Sequence, residues 1–274
     1  LDDINKKFSS VFEIVRANSP TLLDQALRLR HQVYCVENQY EAPSSCGEDI
    51  EFDKFDLFSA HSIIRHRLTG QLTANVRLVL PRSDQADFHF PIQELVSSSL
   101  IGDEIGKGFE DKTKFAEISR FCVSKEFKNC LVQQENGMRK DLSVNPQLDF
   151  LEDGSDHQRS TSRLDVTDGC RLLPHITVAL FAAIFKMSAE EGVENWFAVM
   201  EPPLLRFLSR YGIKFTPLGD VISHRGLRQP CYANADEVAL GIWQKRPDIW
   251  RFVTKNGEVW PLMPYLDTEK VLAG

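Results

Sequence analysis

The chain has 274 residues, 42% of them hydrophobic, enough to bury one large core or two small ones. Its formal net charge of −7 argues against a general nucleic-acid binder, which is ordinarily basic. No run approaches the ~20 apolar residues of a membrane span, Leu1 to Phe12 lacks the apolar stretch of a secretory signal, and six scattered cysteines without a CxxC pair point to a reduced, cytoplasmic protein.

Phe12 to Val15 reads as a short strand. Ser19-Pro20 opens a helix, and Leu22, Leu23, Ala26, Leu29 and Val33 give it one apolar face to about Tyr34. Asn38 to Asp49, with Pro43, Ser44, Ser45 and Gly47, reads as a loop. Ala60–Arg67 and Leu72–Leu80 form a hairpin about Thr69-Gly70. Phe90 to Leu95 reads as a turn of helix. Phe115–Val123 is a further strand, and simple alternation sets Phe115, Glu117, Ser119, Phe121 and Val123 on one face and Ala116, Ile118, Arg120 and Cys122 on the other. Residues 129–167 are polar and read as a mobile insertion.

Leu172 to Glu191 is the main buried helix, ended by Gly192. Asn195–Met200 is a strand, Pro202-Pro203 opens an amphipathic helix, and Ile213–Thr216 is a further strand. The tail holds helices near Asn234–Gln244 and Pro247–Val253. Three consecutive strands imply antiparallel pairing, and the later βαβ unit implies a parallel addition. The expectation is an α+β fold, a mixed central sheet flanked by helices. Residues 10–218 form the main domain, and a helical extension, residues 219–274, packs on it.

Charges on strands that would otherwise be core single out Arg77, Glu117 and Arg120, since buried ionisable groups are costly unless paired. With the acidic segment Glu51–Asp56 (EFDKFD) they make either a buried ion-pair network or a substrate site. Cys122 reads as a small core residue or a nucleophile. His175 reads as a helix-start residue or a base. Glu201 sits at a helix N-terminus or lines a cleft. His224, Arg225 and Arg228 form a basic surface of the tail or guard a substrate.

The succession RLRHQVY, EFDKFD, VRLVLP and AEISRFCVSK resembles the acyl-homoserine-lactone (autoinducer) synthases and the N-acyl amino acid synthases of the GNAT superfamily. WFAVMEPPLLRFLSRYGIKFTPLG and HRGLRQPCYA extend the resemblance to acyltransferases associated with bacterial exosortase and PEP-CTERM sorting systems. It implies a GNAT fold and a cytoplasmic acyltransferase with no tightly bound cofactor and no metal. The co-substrate is an acyl thioester, carried on the phosphopantetheine of an acyl carrier protein or as acyl-CoA, and the acceptor is a small amine. It implies that Glu117 acts as base and Arg120 as an anchor for donor or acceptor. Backbone N–H groups near Phe121 to Val123 would bind the thioester oxygen. Arg30, Tyr34, Tyr40, Asp53, Asp56, Arg77 and Glu201 would shape the substrate site.

The glycine- and arginine-rich phosphate loop of ordinary GNAT enzymes is missing between Lys125 and Leu173, which favours a carrier-protein donor. An acidic carrier would need a local basic patch: Arg65-His66-Arg67, Lys125/Lys128 or Arg206/Arg210, each of which, taken singly, reads better as ordinary surface charge. Tyr40 stands where the autoinducer synthases carry tryptophan, which turns the expectation from a lactone made with S-adenosylmethionine towards an acylated amino acid. The remaining alternatives are an autoinducer synthase proper and a non-catalytic acyl-binding module.

Overall fold

The computed structural model describes residues 3–41, 49–82, 88–97, 101–102, 111–125 and 169–262. The expected insertion at residues 129–167 lies outside the described residues. The strands are β1 (Phe12–Arg16), β2 (Ser59–His66), β3 (Leu72–Val79), β4 (Phe115–Val123), β5 (Asn195–Met200), β6 (Thr216–Pro217), β7 (Ile222–Ser223) and β8 (Leu227–Asn234). The α-helices are α1 (Asp3–Val11), α2 (Pro20–His31), α3 (Gly169–Glu191), α4 (Pro202–Ser209), α5 (Ala235–Lys245) and α6 (Pro247–Val253).

The sheet runs β1-β2-β3-β4-β5-β8-β6, with β7 paired to β8. Neighbours are antiparallel except β4 and β5, which are parallel, as three successive strands followed by a βαβ unit require. The fold is therefore the expected mixed sheet flanked by helices. α3 crosses one face of β1 to β4, and Ile176, Leu180, Phe181, Ile184 and Phe185 are buried there against Ile64, Val76, Leu78, Ala116 and Ile118. Burying each such large side chain contributes about 1.5–3 kcal/mol. The other face carries α2, capped by the Ser19 hydroxyl, which accepts from the Leu22 N–H at 3.3 Å.

Three local expectations change. The helix from Pro20 does not run regularly to Tyr34; Gln32–Glu37 is a π-helical turn. Ile213 is buried and its N–H donates to the Leu208 carbonyl at 3.2 Å, and the strand begins only at Thr216. The tail is not helical throughout: β8 pairs along the whole of β5, from Asn195↔Asn234 to Met200↔Gln229. Pro230 hides this strand, because proline has no N–H to give a ladder and normally argues against a central strand. The two tail helices stand where expected. Gly212 and Gly241 let the turn after α4 touch α5, for a Cβ at Gly212 would collide with the Gly241 carbonyl.

Candidate active site

β4 and β5 pair only from Phe115↔Asn195 to Ile118↔Ala198. Beyond that point β4 bulges. Against β3, Arg77 faces Ser119 while Asn75 faces Cys122, so Arg120 and Phe121 together oppose Val76. Arg120 takes a left-handed φ of 49°, a conformation that costs a non-glycine residue about 1–3 kcal/mol unless its surroundings hold it. The Asn75 side-chain amide donates to the Arg120 carbonyl at 3.0 Å, and Asn75 is fully buried.

The extra residue reverses the alternation expected for β4. Phe121 and Val123 pack with Ala116 and Ile118 on the α3 face. Cys122 packs with Leu29 and Val33 under α2 instead of on the Ala116/Ile118 face. Burial pushes its thiol up to about 12, so it is a core residue rather than a nucleophile.

Between the parted strands lies a cavity of about 710 Å³. Glu117, Arg120, Phe121, Val123, Tyr34, Tyr40, Asp53, Arg77 and Glu201 all line it. Arg30 and Asp56 do not; they stand behind its wall. Of the expected site residues, nine therefore meet at one cavity and two support it from behind.

A network of three arginines and three carboxylates runs along this wall and behind it. Arg30, with a side chain 0% exposed, meets Glu51 at 2.6 Å through Nε and Asp56 at 2.5 Å through Nη1. Arg77 donates to Asp53 at 2.7 Å, to Asp56 at 2.8 Å and to the Ser119 hydroxyl at 2.9 Å. Arg120 donates to Glu51 at 2.8 Å and to Asp53 at 2.9 Å, and its guanidinium lies 5.4 Å from the Tyr34 ring centre. A capping box explains why EFDKFD holds these acids in place: Asp53 accepts from the Phe55 N–H, and Asp56 accepts from the Asp53 N–H. Burial alone would raise the carboxylate pKa values, but the hydrogen bonds and charges of Arg30, Arg77 and Arg120 hold Glu51, Asp53 and Asp56 below the usual range. The expected buried ion-pair network is present without Glu117, and four of its members, Glu51, Asp53, Arg77 and Arg120, also line the cavity.

Glu117 stands apart from this network. It is 3% exposed and accepts from the Ile92 N–H at 2.7 Å. Burial pushes its carboxyl up to about 8, against the opposing pull of the Ile92 N–H, Arg77 and Arg120. His61 is buried beside the network. Burial and the Arg30 charge hold it down to about 4, and its Nε2 is 3.6 Å from Asp56, beyond hydrogen-bond reach.

Three participants escaped the sequence reading: Glu41, Asn75 and His61. Glu37 accepts from the Lys125 N–H at 2.8 Å and the Ser124 hydroxyl at 3.1 Å, which ties the π-helical turn to the end of β4. Only Asn75 left a signal, as an amide in the apolar strand LTANVRLVL. At the mouth, Arg228 pairs with Glu201 at 3.1 Å and lies 5.8 Å from the Tyr40 ring centre. His175, at the start of the described part of α3, is not among the cavity-lining residues.

Residues 29–134 match the acetyltransferase (GNAT) domain family. That span contains the network, the hairpin and β4. Among solved structures, the chain is similar to TofI in a ternary complex with an inhibitor and MTA, at 17% identity over 87% of this chain and 99% of that one, with a TM-score of 0.53. It is similar to the AHL synthase LasI at 15% identity, over 86% and 95%, with a TM-score of 0.50. It is also similar to MesI, a CoA-dependent acyl-homoserine lactone synthase, at 15% identity, over 87% and 94%, with a TM-score of 0.50. At such identities the likeness is one of fold. A search of curated protein sequences finds no match. Among the described residues, no helix is long and apolar enough to cross a membrane.

Proposed function

We propose that this chain, an acyltransferase of the GNAT fold, moves an acyl group from a thioester to the nitrogen of a small amine. The observation that carries the reading is the cavity where β4 parts from β5, with a buried carboxyl, Glu117, and a pinned bulge on its wall. The apolar side chains Phe121, Phe181, Leu204 and Leu208 on that wall suit an acyl chain. The thioester carbonyl would lie against the backbone of Phe121 to Val123, where a fixed N–H dipole stabilises a developing oxyanion.

In the reaction the amine nitrogen attacks the carbonyl carbon, the N–C bond forms, and the C–S bond breaks. Glu117 takes the proton that the amine gives up and passes it to the departing thiolate. Its pKa of about 8 lies close to that of an α-amine, about 7.7–8.0, so exchange between them costs little. In the empty site Glu117 is mostly protonated at neutral pH; an ammonium entering beside it favours the carboxylate. Arg120 is held by Glu51 and Asp53, which suits it to fixing the bulge more than to seizing a substrate.

The lack of a glycine-rich phosphate loop after Lys125 supports a carrier-protein donor over acyl-CoA. The segments following Asn195 carry the further suggestion, from sequence alone, of a place beside a bacterial sorting system. The test is to supply purified protein with acyl carrier protein or coenzyme A thioesters and a set of amines, and to read products by mass spectrometry. N-acyl products that need the protein support the proposal, and intact thioesters with every amine would refute it.

A further inference from the structure

An ion pair spans the mouth of the cavity and joins two parts of the chain 184 residues apart. Arg225 sits at the tip of the β7–β8 hairpin. Its Nη1 lies 2.7 Å from Oε1 of Glu41 and its Nη2 lies 2.9 Å from Oε2. This two-pronged geometry is the one by which arginine recognises any carboxylate. Glu41 Oε1 also lies 3.5 Å from Nη2 of Arg120, and both Glu41 and Arg225 line the cavity.

The arginines of the site are not equivalent. Arg30 and Arg77 are buried with fixed carboxylate partners, and the fork of Arg120 is taken by Glu51 and Asp53. The Arg225–Glu41 pair is 38% and 20% exposed, so water competes for it and exchange of one carboxylate for another is cheap. The hairpin backbone holds Arg225 at the mouth: φ is 51° at Arg225 and 98° at Gly226, and the His224 N–H donates to the Gly226 carbonyl at 2.9 Å.

We propose that Arg225 is the carboxylate-binding residue of the acceptor subsite, and that Glu41 is an internal stand-in which the carboxylate of an amino acid acceptor displaces. The proposal rests on the N-acyltransferase reading and narrows its acceptor from amines in general to amines bearing a carboxylate. The exchange conserves charge at the mouth. Arg120 adds attraction for the incoming anion, and Glu41 swings towards the solvent it already touches. An amine without a carboxylate has nothing with which to displace Glu41.

The competing account is that the pair merely latches the hairpin. In that case removing either partner has the same effect. A subsite with a built-in competitor gives opposite effects. The experiment is calorimetric titration of the full chain with a panel of amino acids, each paired with the amine left when its carboxylate is removed. At least one amino acid should bind about tenfold more tightly to Glu41→Gln than to the unaltered protein, and about tenfold more weakly to Arg225→Gln. The matching amine should bind all three proteins alike. Equal weakening by both substitutions overturns the proposal, and so does failure of every amino acid to bind Glu41→Gln.

Product analysis separates this proposal from the reading beneath it. N-acyl products formed as readily from the bare amines would remove the subsite and leave acyl transfer standing. Binding of amino acids that depends on Glu41 and Arg225, without N-acyl product from any thioester, would keep the subsite and remove acyl transfer.

Discussion

The side-chain amide of Asn75 donates to the main-chain carbonyl of Arg120 across 3.0 Å, and so ties the left-handed residue of the β4 bulge to the neighbouring strand. Asn75 is fully buried, and its Oδ1 meets no hydrogen-bond partner among the described residues. A buried amide that satisfies one group and leaves its own acceptor unmet does little for stability, and its benefit lies in the geometry it imposes. Asn75→Ala should therefore lower stability by only about 1–3 kcal/mol. Turnover should fall about 10-fold or more, while KM for the thioester changes little, because the bulge backbone is aimed at the transition state. Loss of stability with unchanged kcat would show that the bulge is not part of the machinery.

Glu117 is a raised acid, and that fixes the sign of its effect on stability. Between the ordinary carboxyl value and about 8 the folded chain holds a proton that the unfolded chain has lost. Its contribution is thus fully present below the unfolded value and fades as pH rises through about 8. Glu117→Gln should flatten this decline, which runs from the ordinary carboxyl value up to about pH 8, in urea unfolding, and cut turnover by about 10²–10⁴-fold. A variant that keeps both the decline and the turnover would remove Glu117 as the base.

Arg30 lies behind the cavity wall and bonds both Glu51 and Asp56. Replacing it leaves two buried carboxylates short of a partner, a loss on the order of 3–5 kcal/mol. Arg30→Met should therefore lower the melting temperature far more than Arg225→Gln does, whatever happens to activity. Comparable melting temperatures for the two variants would mean that the buried network is not what orders α2 over the site.

His61 gives an acid-side prediction. Its folded value of about 4 lies below the ordinary one, so the unfolded chain binds the extra proton and stability falls as pH drops from 6.5 to about 4. The fall is on the order of 3 kcal/mol at most. His66 and His224 are lowered too and act in the same direction from more exposed positions. Glu117 acts with the opposite sign in part of this range, so the comparison belongs in the Glu117→Gln background. There, His61→Gln should shrink the difference in urea midpoint between about pH 7 and about pH 5. An unchanged difference would assign the acid sensitivity elsewhere.

The three antiparallel strands and the parallel addition after them were legible because local patterns decide them, whereas the place of the site between β4 and β5 came only with the family resemblance. The Thr69-Gly70 turn marks the hairpin of Ala60–Arg67 and Leu72–Leu80, and charges inside apolar strands mark Arg77 and Arg120, which are paired, and Glu117, which is not part of their network. The resemblance implied a bulge in this strand, with donors near Phe121 to Val123, but the alternation of FAEISRFCV did not place it: only pairing with β3 shows the extra residue at Arg120 and Phe121. β8 was hidden by Pro230. Glu41 was hidden because its partner, Arg225, lies far along the chain, and nothing local distinguishes a solvated glutamate from one that meets an arginine across the mouth of a cavity.

The central claim is acyl transfer at the cavity between β4 and β5, with Glu117 moving the proton. The most direct measurement is untargeted lipid mass spectrometry of cells expressing the unaltered chain or Glu117→Gln at matched levels of folded protein. The account predicts N-acylated amines, chiefly N-acyl amino acids, with the unaltered chain and their loss with Glu117→Gln. Identical lipid profiles from the two would contradict it.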